Sequence, residues 1–228
     1  GLCLLFDYPS PGRRPPGAEQ AAMQAVQGED LILVHSHGHD DHFDPDPASV
    51  VRAAGRVRRL LSYDIAELAP HAVPDRDCLV VEPEEVYQWA GLSIEVLDSN
   101  DLGSAFLIVH GGLRIYYPGD LALWDWDRAS EAEAAFTLRF FDEAVARVRE
   151  FGPHVAFAVA DPRLPSRAGA LRLVREVRPE IFVPMHAFGQ TEILPELAAE
   201  LDLPETRVFL YEKSGDAASF HLDVQERP

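Results

Sequence analysis

The stretch His35-Ser36-His37-Gly38-His39-Asp40-Asp41-His42 decides how this chain is read. Four of the nine histidines fall within these eight residues, and two carboxylates join them. The stretch follows Leu31-Ile32-Leu33-Val34, an unbroken apolar run of strand length. Loops at strand ends are where a rigid scaffold presents reactive groups. Neutral imidazole is the commonest protein ligand for zinc, and carboxylates join it in metal sites. His37 and His39 alternate by two, so an extended backbone points both rings to one side, where they can hold one ion. Asp41 and His42 follow after a turn and can face a second ion. The competing reading is a histidine-rich surface loop, which would need no matching ligands elsewhere in the chain.

Two further stretches match. Ile115-Tyr116-Tyr117-Pro118-Gly119-Asp120 is an apolar strand that ends in Pro-Gly and delivers a carboxylate at its tip. Ile181-Phe182-Val183-Pro184-Met185-His186 is another apolar strand, ending in Pro-x-His. Taken alone, Asp120 reads equally well as a turn former and His186 as a core histidine. Together with the first motif they complete a ligand list for two metals.

This set resembles the metallo-β-lactamase superfamily, and the resemblance spans the chain from Phe6-Asp7-Tyr8 to His186. Asp101-x-Gly103, Gly119-Asp120-Leu121-Ala122-Leu123-Trp124-Asp125-Trp126, Val159-Ala160-Asp161-Pro162-Arg163 and Val183-Pro184-Met185-His186 resemble a branch of predicted zinc-dependent hydrolases. That branch is related to lactonase-like and ribonuclease Z-like members. The resemblance implies an α/β fold, the four-layer αββα sandwich, with a dinuclear site at the edge of two packed sheets. It implies that His37 and His39 bind the first metal, that Asp41, His42 and His186 bind the second, and that Asp120 bridges both. Asp7 matches the aspartate that braces the metal loop. One departure is plain. The superfamily usually supplies a third histidine to the first metal, and here the neighbourhood reads Leu97-Asp98-Ser99-Asn100-Asp101. Asp98 or Asp101 would take that place as an oxygen ligand, which favours Mn²⁺ or Fe²⁺ beside Zn²⁺ or leaves a single-metal site. His110 lies at the far end of a strand and is expected to face away.

The chemistry that these ligands imply is hydrolysis. Metal-bound water loses its proton near neutral pH and attacks a carbonyl or phosphoryl centre. The ions stabilise the oxyanion that develops, and Asp41 orients the water and shuttles its proton. Gly-x-Ser-x-Gly is absent, and neither cysteine, Cys3 nor Cys78, has a histidine close by in sequence. The expected function is a zinc-dependent hydrolase, two Zn²⁺ per chain, acting on a small-molecule ester, lactone, amide or phosphodiester. The alternatives are a ribonuclease Z-like nuclease and a binding protein that kept the fold and lost catalysis. A di-iron oxidoreductase would normally need a flavin partner domain. His35 reads as a supporting histidine. Asp161 and Arg163 read either as a turn with a surface arginine or as substrate contacts. Trp124, Trp126 and Phe188 read as pocket walls or as core packing. His71, His154 and His221 carry no assigned role.

Composition bounds the partners. The 228 residues carry 38 acidic against 20 basic side chains, a formal charge of −18, and only Lys213 is lysine. Such a chain repels polyphosphate, so no nucleic-acid partner is expected. Two distant cysteines exclude a disulfide scaffold and a thiolate zinc cluster. No apolar run approaches about 20 residues, and Leu2–Phe6 lacks the basic lead of a signal peptide. A cytoplasmic protein is expected, one domain over 1–228, read as a strand entered midway with its first strand or strands upstream. Along the chain the pattern predicts strands in the first half and alternating helix and strand after it. Ser130 is predicted to cap the longest helix in a capping box with Glu133. Ala134, Leu138, Phe141, Val145 and Val148 are its predicted buried stripe. Ser219–Val224 is predicted to close the chain as a strand.

Overall fold

The computed structural model describes residues 1–224. Short apolar runs separated by polar, proline-rich loops form two sheets. The first is wholly parallel and runs β1 (Leu2–Phe6), β2 (Asp30–His35), β3 (Arg56–Ser62), β4 (Cys78–Val81) in spatial order. Its register pairs Leu4 with Ile32 and Ile32 with Arg58. The second sheet has seven strands. Strands β5 (Val86–Trp89), β6 (Leu92–Asp98), β7 (Ser104–His110) and β8 (Leu113–Tyr117) form an antiparallel meander. Its last turn is Gly111-Gly112, both with positive φ, which glycine adopts without steric cost. Parallel strands β9 (Val155–Val159), β10 (Ile181–Met185) and β11 (Arg207–Val208) extend this sheet beyond β8.

Alternation along each strand sorts side chains to two faces. On β2, Ile32 and Val34 face the second sheet, while Leu31 and Leu33 face helices α1 (Ala18–Ala25) and α2 (Ala48–Ala53). On β7, Phe106 and Ile108 join the layer between the sheets, and Ala105 and Leu107 face the opposite way. There they meet α4 (Glu131–Phe151), α5 (Ala170–Val177) and α6 (Leu194–Leu201). The order is helices, parallel sheet, mixed sheet, helices, the expected αββα sandwich. Each large side chain in the inter-sheet core contributes about 1.5–3 kcal/mol on burial. Helix α3 (Tyr63–Leu68) follows β3 and lies under the histidine loop. Among the described residues no helix is long and apolar enough to cross a membrane.

Ser130 caps α4 as expected: its hydroxyl accepts from Glu133 N (3.3 Å), and the Glu133 carboxylate accepts from Ser130 N (2.8 Å). The buried stripe starts later than predicted. Phe141, Val145 and Val148 are buried with Thr137 and Ala144, while Ala134 and Leu138 are exposed. The first turns of α4 overhang the sheet they were expected to cover. Ser219–Val224 forms no strand. β11 pairs over two residues only, and this segment is held by side chains instead. Arg207 donates to the His221 carbonyl (3.3 Å) and lies 5.1 Å from the Phe220 ring centroid.

Candidate metal centre

The carboxyl ends of several strands open on one edge of the sandwich, the position where parallel sheets present functional loops. Asp7 follows β1, the histidine loop follows β2, Asp120 follows β8 and His186 follows β10. Asp101 stands in the turn between β6 and β7. These loops bring together two groups of potential ligands. His37, His39, Asp101 and Asp120 form one; His42, Asp120 and His186 form the other, with all offered atoms of each group within 4.8 Å of one another. Asp120 belongs to both. Its Oδ1 lies 2.9 Å from His186 Nε2 and 3.3 Å from His42 Nε2, and its Oδ2 lies 3.8 Å from His37 Nε2. His37 Nε2 and His39 Nδ1 are 3.0 Å apart.

Behind the ligands stands Asp7, its side chain only 6% exposed. The carboxylate accepts from Ser36 N (2.8 Å), Ser36 Oγ (2.7 Å), His42 Nδ1 (2.7 Å) and Tyr117 OH (2.6 Å). Burial disfavours its charge, but the bond from His42 and the other donors win and hold the carboxyl well below the usual range. This network orients the rings. His42 turns Nδ1 to Asp7 and Nε2 to Asp120; burial disfavours its charge, but the bond to Asp7 and the charges of Asp7 and Asp120 win and raise the imidazole to about 9. The Ser36 hydroxyl gives its proton to Asp7 and accepts from His37 Nδ1 (2.9 Å), which leaves the His37 Nε2 lone pair facing the site. Such carboxylate and hydroxyl partners orient metal-binding imidazoles.

Two glycines let the loops close on Ser36. Gly103 has φ +71, and a Cβ there would lie 2.1 Å from the Ser36 carbonyl. Gly119 has φ +54, and a Cβ would lie 2.6 Å from that of Ser36. Asp64, buried at the start of α3, accepts from Gly38 N (2.8 Å) and fixes the middle of the His37-Gly38-His39 turn. Burial pushes its carboxyl up. Ser36 and Tyr117 lie inside the stretches 35–42 and 115–120 with no role expected of them, and Asp64 has only its place in the first turn of a helix as a signal.

The remaining candidates separate. Asp101 reaches the first group, while Asp98 is exposed and accepts from Ser99 N (3.0 Å). Burial and the neighbouring Asp120 push the Asp101 carboxyl up. Asp41 belongs to neither group; its half-exposed carboxylate lies 4.0 Å from His42 Nε2. His35 is buried beneath the loop, with Nδ1 3.1 Å from the His42 carbonyl. His110 is exposed at the other end of β7 and bonds the Gly91 carbonyl (3.0 Å). Asp161 is fully buried and held by Arg163 (2.5 Å). Trp124 donates its indole N–H to the Asp120 carbonyl (3.1 Å), whereas Trp126 and Phe188 stand exposed as a rim.

The residues present fit a cation. Asp120 Oδ1 is buried and makes no hydrogen bond of acceptable geometry, although two ring nitrogens lie within 3.3 Å of it. A buried carboxylate oxygen that faces ring nitrogens without a well-formed hydrogen bond is what a divalent ion satisfies. Mixed imidazole and carboxylate donors suit Zn²⁺, Mn²⁺ or Fe²⁺.

The fold has parallels among solved structures. Igni18, a metallo hydrolase from the hyperthermophilic archaeon Ignicoccus hospitalis, matches with a TM-score of 0.59 and 18% identity over 86% of this chain and 81% of that one. YhfI from Bacillus subtilis, a metallo-β-lactamase fold protein, matches with a TM-score of 0.62 and 14% identity over 91% and 83%. The chain has the metallo-β-lactamase fold. At these identities the likeness is one of fold. No protein-family model matches the chain, and no curated protein matches it in sequence. Within the metallo-β-lactamase sandwich the ligand groups of this chain come from both sheets. A carboxylate, Asp101, and no third histidine joins His37, His39 and Asp120 in the first group.

Proposed function

We propose that this protein is a metal-dependent hydrolase of a small molecule, an ester, lactone, amide or phosphodiester, with two divalent ions, zinc first among them. His37, His39 and Asp101 would hold one ion, His42 and His186 the other, and Asp120 both. The observation that carries this reading is the sharing of Asp120 by two separate ligand groups. Ions held there supply Lewis acidity and lower the pKa of bound water to near neutrality.

The chain's own residues do the rest. Asp7, directly and through Ser36, holds the His42 and His37 rings with their Nε2 atoms turned towards the site. Asp64 fixes the turn between His37 and His39. Asp41 stands at the mouth, half exposed and beside His42, where its carboxylate orients the attacking water and carries its proton to the leaving group. His39 and Asp101 are exposed, so that side of the centre is open to substrate. Trp126 and Phe188 flank the approach.

The test is metal analysis joined to activity. Purified protein is expected to hold two equivalents of divalent ion and to turn over members of an ester, lactone, amide and phosphodiester panel. Asp120→Ala is expected to lose ions and turnover together. An Asp120→Ala protein that keeps both ions and normal turnover would falsify the assignment.

A further inference from the structure

In a chain of charge −18, positive charge is scarce. Four arginines nonetheless line one open cavity of about 560 Å³: Arg163, Arg167, Arg172 and Arg175. Two of them are neutralised inside the protein. Arg163 pairs with the buried Asp161, and Arg172 with Asp142 (2.6 Å) and Glu176 (3.0 Å). The other two are not. Arg167 donates to the Pro162 carbonyl (3.1 Å) and Arg175 to the Glu200 carbonyl (2.6 Å), and neither forms an ion pair among the described residues. Glu200 is the only acidic residue in the wall, and its carboxylate pairs with none of the four. A guanidinium has five N–H donors, so each of these two keeps donors and a full charge for something else.

The backbone that carries Arg167 is built with care. Arg167 and Ala168 both have φ 53, in the left-handed region, and Gly169 continues it at φ 80. Left-handed non-glycine residues cost about 1–2 kcal/mol each and persist only where the surroundings hold them. Here Asp125 binds the Ser166 hydroxyl (2.8 Å) and amide (3.3 Å), and Leu123 N donates to the Ala168 carbonyl (3.0 Å). Both contacts come from the segment just beyond Asp120. On the other side the cavity adjoins the metal centre through Arg163. Its guanidinium lies 4.1 Å from the Phe188 ring centroid, and that ring meets the His186 ring edge-on at 5.4 Å.

We propose that this pocket binds a phosphate-type dianion through Arg167 and Arg175, and that the dianion is the anionic tail of the molecule presented to the metal centre. Two uncompensated guanidinium groups match two negative charges, and the planar fork suits phosphate oxygens in bidentate fashion. The first half of the proposal stands without any metal. The second half rests on the hydrolase reading.

The experiment separates the two. Inorganic phosphate is titrated calorimetrically into protein stripped with a chelator, so that ligand-bound ions cannot hold it. Wild type and Asp120→Ala are expected to bind it with equal affinity, weakening as salt rises. Arg167→Ala and Arg175→Ala are each expected to weaken it about tenfold or more. Arg52→Ala, on the exposed face of α2, should bind as wild type does. Phosphate binding that appears only with metal, or that survives both arginine substitutions as an adventitious ion would, overturns the pocket. For metal-loaded enzyme, Arg175→Ala is expected to raise KM about tenfold for a phosphate-tailed ester, with kcat unchanged and the neutral analogue unaffected. Equal KM changes for both esters overturn the tail assignment. If no member of the ester, lactone, amide and phosphodiester panel is turned over, the hydrolase reading and with it the tail fail, and the titration still decides the pocket.

Discussion

Asp7 is where one atom swap should separate folding from metal binding. Its carboxylate accepts four bonds, from Ser36 twice, His42 and Tyr117. Asparagine in its place keeps one oxygen and turns an N–H₂ towards groups that are themselves donors. His42 would then lose the acceptor that fixes its ring orientation, and the Ser36 hydroxyl the partner that frees its lone pair for His37. We expect Asp7→Asn to fold and to lower metal affinity about 10–100-fold, read by competition with a chelating dye. Wild-type affinity in that variant would remove Asp7 from the account. His110 provides the opposite case. It is exposed and bonds only the Gly91 carbonyl among the described residues. His110→Ala should change stability by no more than about 0.5 kcal/mol and leave metal content unaltered. A loss of metal there would mean that the missing third histidine is His110 after all.

Helix α4 shows what local pattern determines and where it stops. Its capping box is complete, so Ser130→Ala should cost about 1 kcal/mol, seen as a lower urea midpoint at constant slope. An unchanged midpoint would mean that water satisfies the freed amide equally well. That cap was legible because both halves of it lie within four residues. Helical spacing likewise picked out Phe141, Val145 and Val148. It could not say where the covered sheet ends, and Ala134 and Leu138 therefore stand in solvent. The alternation of Ser219–Val224 predicted a strand, but a strand needs a partner edge, and β11 offers two residues. The ligand groups divide in the same manner. His37, His39, His42, Asp120 and His186 announced themselves through residues that end apolar strands. The choice between Asp98 and Asp101 depended on how the turn before Gly103 packs against Ser36, a contact outside any local pattern. Asp64 braces Gly38 across 26 positions, and Tyr117 reaches Asp7 across 110. No periodicity records contacts at such separations.

The two sheets meet at the candidate ligands. Asp7, His37, His39 and His42 belong to loops of the four-stranded sheet, and Asp101, Asp120 and His186 to loops of the seven-stranded one. An ion held by both sets therefore binds the assembled sandwich and not the unfolded chain, where these residues scatter over 180 positions of sequence. Mass action then links metal to stability: a ligand at 100 times its dissociation constant adds about 2.7 kcal/mol. For a chain of this size each kcal/mol moves the thermal midpoint by about 2–4 °C. Chelation should accordingly lower the midpoint of the wild type by several degrees, and excess zinc should restore it. Asp120→Ala removes the one carboxylate common to both groups, so its midpoint should respond little to chelator or zinc. His110→Ala should respond as the wild type does, which excludes a general effect of losing an imidazole. A wild-type midpoint indifferent to chelator, in protein shown to have held metal beforehand, would mean that the ions sit elsewhere than between the sheets.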